Sequence, residues 1–178
     1  MFAKIARKRR SVRKFLARDV PDKVVEAVLR VAIQAPSAMN KQSWEFIVVR
    51  DLETRRRLSQ ASFMQGSLVS APVVIAVCGN TKRAGGIPIV GPGAEEFAAT
   101  DAIIAAAYIQ LAALDKKLGT VWVGGFDRKQ VAAILGLPDY VKPVALVPMG
   151  YPAEKPKPHG RLPLEKVLHT GRYGQPQR

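Results

Sequence analysis

The residues best suited to chemistry lie near the N-terminus, in the run Arg9-Arg10-Ser11-Val12-Arg13. If this run is extended, alternate side chains point to one side, so that Arg9, Ser11 and Arg13 form a set. Two forked guanidinium groups and a hydroxyl are donors that grip a phosphate and the polar edge of a heterocycle. A basic run of this kind is also compatible with a merely solvated surface. The run by itself leaves both interpretations open.

The chain as a whole is strongly basic. Its 178 residues include 28 Lys and Arg against 14 Asp and Glu, a formal net charge of +14. Eight of the basic residues precede Asp19, and no acid stands among them. Such an excess favours anionic partners, among them nucleic acid, an anionic membrane surface and a phosphorylated cofactor, and it is equally compatible with plain solubility.

Several kinds of site are excluded or disfavoured by the residues present. Cys78 is the only cysteine, so the chain can form neither an internal disulfide nor a multi-cysteine metal site, and a buried position in a strand is expected for it. His159 and His169 both lie in the C-terminal tail, where exposure is the ordinary expectation. No P-loop, G-x-G-x-x-G or G-x-S-x-G motif is present. We therefore predict no metal site, and hydrolytic chemistry has little support.

Targeting signals are also not expected. Charged residues interrupt the N-terminus from Lys4 onward, which does not fit a signal peptide. The Ala-rich stretch 97–118 contains Asp101, Gln110 and Asp115, which argues against a membrane span. A cytoplasmic protein is the expectation.

The elements that must position the basic run follow from hydrophobic periodicity. Helices are predicted over 22–35, 52–60, 95–117 and 128–135, and strands over 46–49, 72–78, 120–123 and 144–149. Asp22 is placed to cap the first helix, and Asp127 with Gln130 predicts a capping box for the last, which Gly136 closes. The longest helix should pack its central stripe into the core. That stripe comprises Ile104, Ala107, Leu111, Leu114 and Leu118.

Two segments lack a core-forming pattern. Residues 79–94 are rich in glycine and proline, which predicts a long surface loop. Residues 151–178 contain five prolines and should be either disordered or wrapped over another surface. Because no linker divides the chain, we expect a single domain over 1–178 with a C-terminal extension at 151–178.

Four segments, in this order, resemble the nitroreductase family of FMN-dependent oxidoreductases. The first is the N-terminal run continued through Lys14 and Phe15, and the second is Ala-Pro-Ser-Ala-Met-Asn-Lys-Gln at 35–42, followed by Trp-Glu-Phe at 44–46. The third is Leu-Gly-Thr-Val-Trp-Val-Gly-Gly-Phe at 118–126, and the fourth is Gly-Tyr-Pro at 150–152 with Lys157 and Arg161. The matches span nearly the whole chain.

This resemblance implies an α+β fold with a mixed or antiparallel sheet of four to five strands flanked by helices. It also implies a homodimer with FMN at the subunit interface and a C-terminal tail that embraces the partner subunit. By the resemblance, FMN contacts fall at Arg9, Arg10, Ser11, Arg13, Pro36, Ser37, Met39, Asn40, Gly124, Gly125 and Arg161.

The resemblance also implies a role for each group of contacts. Arg9 and Arg161 would hold the phosphate, Ser11 would assist near the ribityl chain, and Arg13 would lie toward the pyrimidine ring. Residues 36–40, contributed by the other subunit, would pack against the isoalloxazine, and the glycine pair at 124–125 would let backbone approach it closely.

The implied reaction is ping-pong. FMN would take a hydride from NADH or NADPH at N5 and then reduce a nitroaromatic, quinone or enone acceptor. The loop at 79–93 is the candidate for shaping access of this small-molecule acceptor. Ser43 stands where many relatives have proline, and we expect it to loosen a turn.

Two alternatives remain. A non-catalytic protein could store or sense FMN. A basic nucleic-acid-binding domain would account for the net charge and for the run Arg55 to Arg57, but the sequence lacks the interleaved aromatic residues that single-strand binders use. The sequence therefore disfavours nucleic acid as a partner.

Overall fold

The computed structural model describes residues 2–85 and 93–175. Its strands are β1 (Trp44–Val49), β2 (Val73–Asn80), β3 (Gly119–Thr120) and β4 (Val141–Gly150). They form one sheet in the order β1-β2-β4-β3, and each neighbouring pair is antiparallel. This arrangement confirms the predicted α+β fold.

Seven α-helices surround this sheet within the described residues. They are α1 (Phe2–Lys8), α2 (Asp22–Ala32), α3 (Leu52–Ala61), α4 (Gly66–Ser70), α5 (Thr81–Ala84), α6 (Ala94–Asp115) and α7 (Arg128–Leu135). Short 3-10 turns occur at Ala38–Asn40 and Leu164–Lys166.

The sheet separates two apolar layers, and β2 lies between them. Every residue of β2 is buried, because alternate side chains enter opposite layers. Val73, Ile75 and Val77 join the layer that contains α2 and α6, whereas Val74 and Ala76 join the layer that contains α3, α4 and α7. Burial on both faces explains why this strand reads as a continuous apolar run.

Helix α6 is the core helix, as predicted, but a different face is buried. The side chains against the sheet are mainly alanines, with Ala102, Ala105, Ala106 and Ala113 fully or almost fully buried. In the predicted stripe, Ala107 is exposed and Ile104 is only half-buried, so that prediction is wrong in detail. Alanine occupies the buried face of α6 because its small side chain lets the helix approach the strands closely.

The same helix is long and apolar enough, by composition, to cross a membrane. Its alanine face nevertheless packs against the sheet and α2 in one core cluster. Those contacts are those of a core helix in a globular fold.

Several predicted boundaries differ from the structure. Helices α1 and α4 were not predicted, and β3 is shorter than the predicted 120–123. The predicted loop at 79–94 begins with the end of β2 and with α5, while residues 86–92 lie outside the described residues. Asp22 does not cap α2; its carboxylate accepts a hydrogen bond from Arg50 Nη2 at 2.7 Å.

The cap at Asp127 and the stop at Gly136 are confirmed for α7, but the capping box is only half formed, because Asp127 N donates to Ala61 O at 2.9 Å. Asp127 Oδ1 accepts from the backbone N–H of Lys129 and Gln130 at 2.9 and 3.0 Å. The hydrogen bonds of Gln130 and Lys129 lower the pKa of the Asp127 carboxyl. Gly136 ends the helix at φ +62°, a left-handed conformation that favours glycine.

Two interior polar residues have structural roles. Cys78 is fully buried, as predicted, and burial raises the pKa of its thiol to about 12. Arg55 is buried as well, and its Nη1 donates to the carbonyls of Val69 and Ala71, both at 2.5 Å. The run 55–57 is therefore not one exposed basic patch.

Replacing Arg55 should destabilise the fold. In Arg55→Met the buried carbonyl of Ala71 and the partly buried carbonyl of Val69 lose their donor, and we expect the free energy of unfolding to fall by about 3 kcal/mol. Urea denaturation measures the change. Arg57→Met, at an exposed position of the same helix, is the control and should cost less than about 0.5 kcal/mol; equal losses in both variants would contradict the assigned role.

Candidate functional site

Arg9 ends α1, since its N–H donates to Ile5 O at 3.1 Å, and from Ser11 onward the N-terminal basic run lies along β3. Ser11 bridges Thr120 in parallel, and Val12 N donates to Thr120 O at 2.9 Å. Val12 is buried beside Phe15 and Ala71. Because side chains alternate in an extended segment, Ser11 and Arg13 face away from this core contact. The predicted alternation therefore holds for these two residues and does not extend to Arg9.

The first residues of the C-terminal extension hold the other side of this run. Glu154 Oε1 accepts from the backbone N–H of Arg13 at 2.6 Å and of Lys14 at 3.1 Å. Ala153 N donates to Lys14 O at 2.9 Å. The N–H donors lower the pKa of Glu154, with Arg13 the largest cause. The exposed Arg13 side chain is thus carried on a backbone fixed from both sides.

Arginine side chains converge at the start of the run. Arg9 is half-buried, and its Nη1 lies 3.5 Å from Gln110 Oε1 on α6. Burial lowers the pKa of Arg9, and repulsion by Arg161 and Arg10 lowers it further. The structure therefore brings Arg9 and Arg161 near each other although 152 positions separate them.

These arginines lack acidic partners within the described residues. None of the ion pairs found there includes Arg9, Arg10 or Arg161. Arg10 Nη1 donates to Arg7 O at 2.6 Å, and Arg161 Nη1 donates to Gly160 O at 3.1 Å. Guanidinium groups that donate only to carbonyl oxygens and lie close to one another can bind an anion.

A cavity of about 220 Å³ opens beside this cluster. Its polar and cationic lining comprises Lys8, Arg9, Arg10, Gln110, Thr120, Glu154 and Lys155. Gly119 forms part of the wall, and a Cβ there would come within 2.7 Å of the Val12 side chain. Packing against Val12 therefore requires glycine at position 119, in the segment 118–126 that carries part of the resemblance.

The second predicted group, in the loop after α2, has a strained backbone. Met39, Asn40 and Gln42 have φ values of 48°, 55° and 51°. Left-handed conformations are unfavourable for such residues and cluster at ligand sites. Met39 is 65% exposed, Pro36 and Asn40 are exposed as well, and Ser37 Oγ accepts from Gln42 N at 2.9 Å.

A buried carboxylate anchors this loop to α6. Asp101 is 2% exposed, and its two oxygens accept from Ala38 N at 3.0 Å and from Ser43 Oγ at 2.6 Å. Ser43 is itself fully buried. The expectation that Ser43 loosens the turn is wrong, since its hydroxyl ties the turn to the core helix.

Sequence reasoning missed Asp101, Gln110 and Glu154 as parts of the site. The first two carried a signal, because each is an isolated polar residue in a helix made mostly of alanine and aliphatic side chains. A buried polar residue in such a helix requires a partner. Glu154 carried none, since its partners lie 140 and 141 positions away.

The glycine pair at 124–125 is exposed, and its two members differ. A Cβ at Gly124 would lie 2.7 Å from Trp122 Nε1, so a larger residue there would have to displace the half-buried Trp122 side chain. A Cβ at Gly125 would meet nothing within 4 Å. Open backbone suited to a ligand is therefore found at Gly125.

The predicted contacts fall into separate groups within one chain. Asp101 anchors the loop and Gln110 contacts Arg9, and nine residues of α6 correspond to about 13 Å. Among the cavities found in the described residues, none is lined by both groups.

The chain belongs to the Nitroreductase family, whose model matches residues 6–151. It is 35% identical over 189 residues to a protein of Thermus thermophilus named NADH dehydrogenase, covering 92% of each chain. It is 29% identical to FMN reductase [NAD(P)H] of Bacillus subtilis, covering 92% of this chain and 71% of that one. The fold superposes on nitroreductase A of Vibrio parahaemolyticus with a TM-score of 0.89 at 26% identity, covering 99% and 78% of the two chains.

Removing the Ser43 hydroxyl should release the loop. In Ser43→Ala one oxygen of buried Asp101 loses its donor, and we expect a loss of about 2 kcal/mol in the free energy of unfolding. Hydrogen exchange should accelerate most at the amide of Ala38. Thr100→Ala, at an exposed position of α6, is the control; unchanged exchange at Ala38 in Ser43→Ala would contradict the anchoring role.

Proposed function

We propose that this chain transfers hydride from NAD(P)H to a nitroaromatic, quinone or enone acceptor in a ping-pong cycle, with FMN as the bound cofactor. Its family and the names of its relatives make it an NAD(P)H-dependent flavin oxidoreductase. The observation that carries the finer proposal is the unpaired arginine cluster beside an extended, doubly anchored basic run.

The residues present fit the phosphate end of FMN. Arg9 is held in a half-buried position where Arg161 and Arg10 repel it, so a dianion would relieve that repulsion. Gln110 and Thr120 supply neutral polar groups in the adjoining cavity. We assign Arg9, Arg10 and Arg161 to the phosphate and Ser11, next along the run, to the ribityl chain.

The residues also fit the ring end. Arg13 is exposed on a fixed backbone, where a cation would favour negative charge on a flavin pyrimidine ring. Gly125 offers open backbone. When bound, FMN supplies hydride acceptance at N5 and hydride donation to the acceptor. The chain contributes orientation and electrostatics, and we assign no residue as acid or base.

We propose that the loop at 36–40 meets the cofactor of a second subunit in a homodimer. In support, Pro36, Met39 and Asn40 are exposed and share no cavity with the arginine cluster of their own chain. In further support of a second subunit, the chain has an apolar groove of about 430 Å³ between α1, α2 and α6. Its lining includes Phe2, Ile5, Val31, Tyr108 and Leu111.

The C-terminal extension fits the same proposal. Leu162, Leu164 and Val167 are 72%, 62% and 58% exposed, which is unusual for three aliphatic residues so close in sequence. We propose that they cover the partner subunit. Because both apolar layers of one chain share one sheet, we also propose that 1–178 is a single domain. Sedimentation of the FMN-loaded protein as a monomer would contradict the homodimer.

The decisive experiment is spectroscopic. The purified protein should show a flavin absorption spectrum with one releasable FMN per chain, and anaerobic NADH or NADPH should bleach it. Reoxidation by a nitroaromatic or quinone would complete the cycle. A colourless protein that does not take up added FMN would contradict the proposal, and FMN that no nicotinamide reduces would favour storage or sensing.

The phosphate assignment has its own test. Because Arg9→Ala with Arg161→Ala removes two charged donors, we expect FMN affinity to fall about 100-fold. Fluorescence quenching of FMN on binding measures the Kd. Lys23→Ala with Arg57→Ala removes two exposed charges elsewhere and should leave the Kd within about twofold. An unchanged Kd in the arginine variant would show that the phosphate lies elsewhere.

A further inference from the structure

The net charge is not spread evenly over this chain. Residues 2–18 contain eight basic residues and no acid, and residues 151–178 contain six basic residues and two acids. The long middle part, 19–150, contains fourteen basic and twelve acidic residues and is nearly neutral. Almost all of the excess charge therefore belongs to the two terminal segments.

The fold brings these two segments together. Leu16 N donates to Tyr151 O and Ala153 N donates to Lys14 O, each at 2.9 Å. Lys8 from the first segment and Lys155 from the second line the same cavity. The fold thus assembles one basic surface, which we define as Lys8, Arg9, Arg10, Lys155 and Arg161.

This basic surface carries more charge than an FMN phosphate can neutralise. A phosphate monoester brings about two negative charges, which the three arginines assigned to it, Arg9, Arg10 and Arg161, already exceed. Glu154 is the one acid that lines the cavity, and its carboxylate is engaged by two backbone N–H groups. No ion pair found in the described residues includes Lys8 or Lys155. Positive charge therefore remains beside the site after the cofactor phosphate is bound.

We propose that Lys8 and Lys155 form a second phosphate subsite. This subsite binds the 2′-phosphate of NADPH and so favours NADPH over NADH. This inference rests on the proposed function. NADPH differs from NADH by its additional 2′-phosphate, and two exposed lysines acting on that group give a preference of about tenfold. Both lysines are exposed at the rim of the cavity, where they can contact a substrate that enters and leaves.

Charge reversal tests the subsite. In Lys8→Glu with Lys155→Glu, assayed with saturating added FMN because both lysines line the cavity beside the cofactor phosphate, kcat/KM for NADPH should fall at least about tenfold, while that for NADH falls much less. Raising the ionic strength should erase the preference of the original protein, because exposed pairs are screened. Lys23→Glu with Lys129→Glu, two exposed lysines on α2 and α7, is the matched control and should keep the preference.

A binding measurement separates this inference from the catalytic proposal. Calorimetry on the FMN-loaded protein should give tighter binding of 2′,5′-ADP than of 5′-AMP, and the Lys8/Lys155 reversal should abolish that difference. Equal affinities for the two nucleotides, or equal loss of NADH and NADPH turnover, would overturn the subsite. Tighter 2′,5′-ADP binding that the reversal abolishes, in a protein that oxidises neither nicotinamide, would support the subsite and overturn the proposed function.

Discussion

The alanine face of α6 is the constraint on which the rest of the structure depends. Small side chains let this helix lie close enough to contact all four strands as well as α1, α2 and α5. A helix packed this closely can carry a buried polar side chain only where that side chain has a hydrogen-bond partner, because an unpaired buried polar group is costly. Asp101 and Gln110 are those positions, and each fixes one part of the candidate site.

The basic surface shows how a fold can hold like charges together. Backbone hydrogen bonds to Thr120, Tyr151 and Glu154 fix the N-terminal run in place. Because those bonds use backbone groups of the run, they form whatever the charge of its side chains. Arg9, Arg10 and Arg161 then face one another without a carboxylate partner in the described residues, which leaves their charge for a ligand.

Strain at the loop after α2 has a matching support. Three residues there have positive φ, and the cost of such conformations must be offset by surrounding contacts. The two hydrogen bonds to buried Asp101 provide this support from one side of the loop. The opposite side, with Met39 and Asn40, is exposed. A rigid, exposed and strained loop is suited to meeting a flat ligand without rearranging.

By itself the sequence determined the class of fold, most of the helices and strands, the cap at Asp127 and the family, because these follow from local periodicity and from motifs that are short in sequence. Only the tertiary structure decided that Arg55 is an internal donor, that Ser43 tightens its turn and that alanines form the inner face of α6. The physical reason is that burial and hydrogen-bond partners depend on residues far along the chain, as with Ser43 and Asp101, 58 positions apart. For the same reason the sequence gives the net charge of the chain, whereas only the fold shows that basic residues from both terminal segments form one surface.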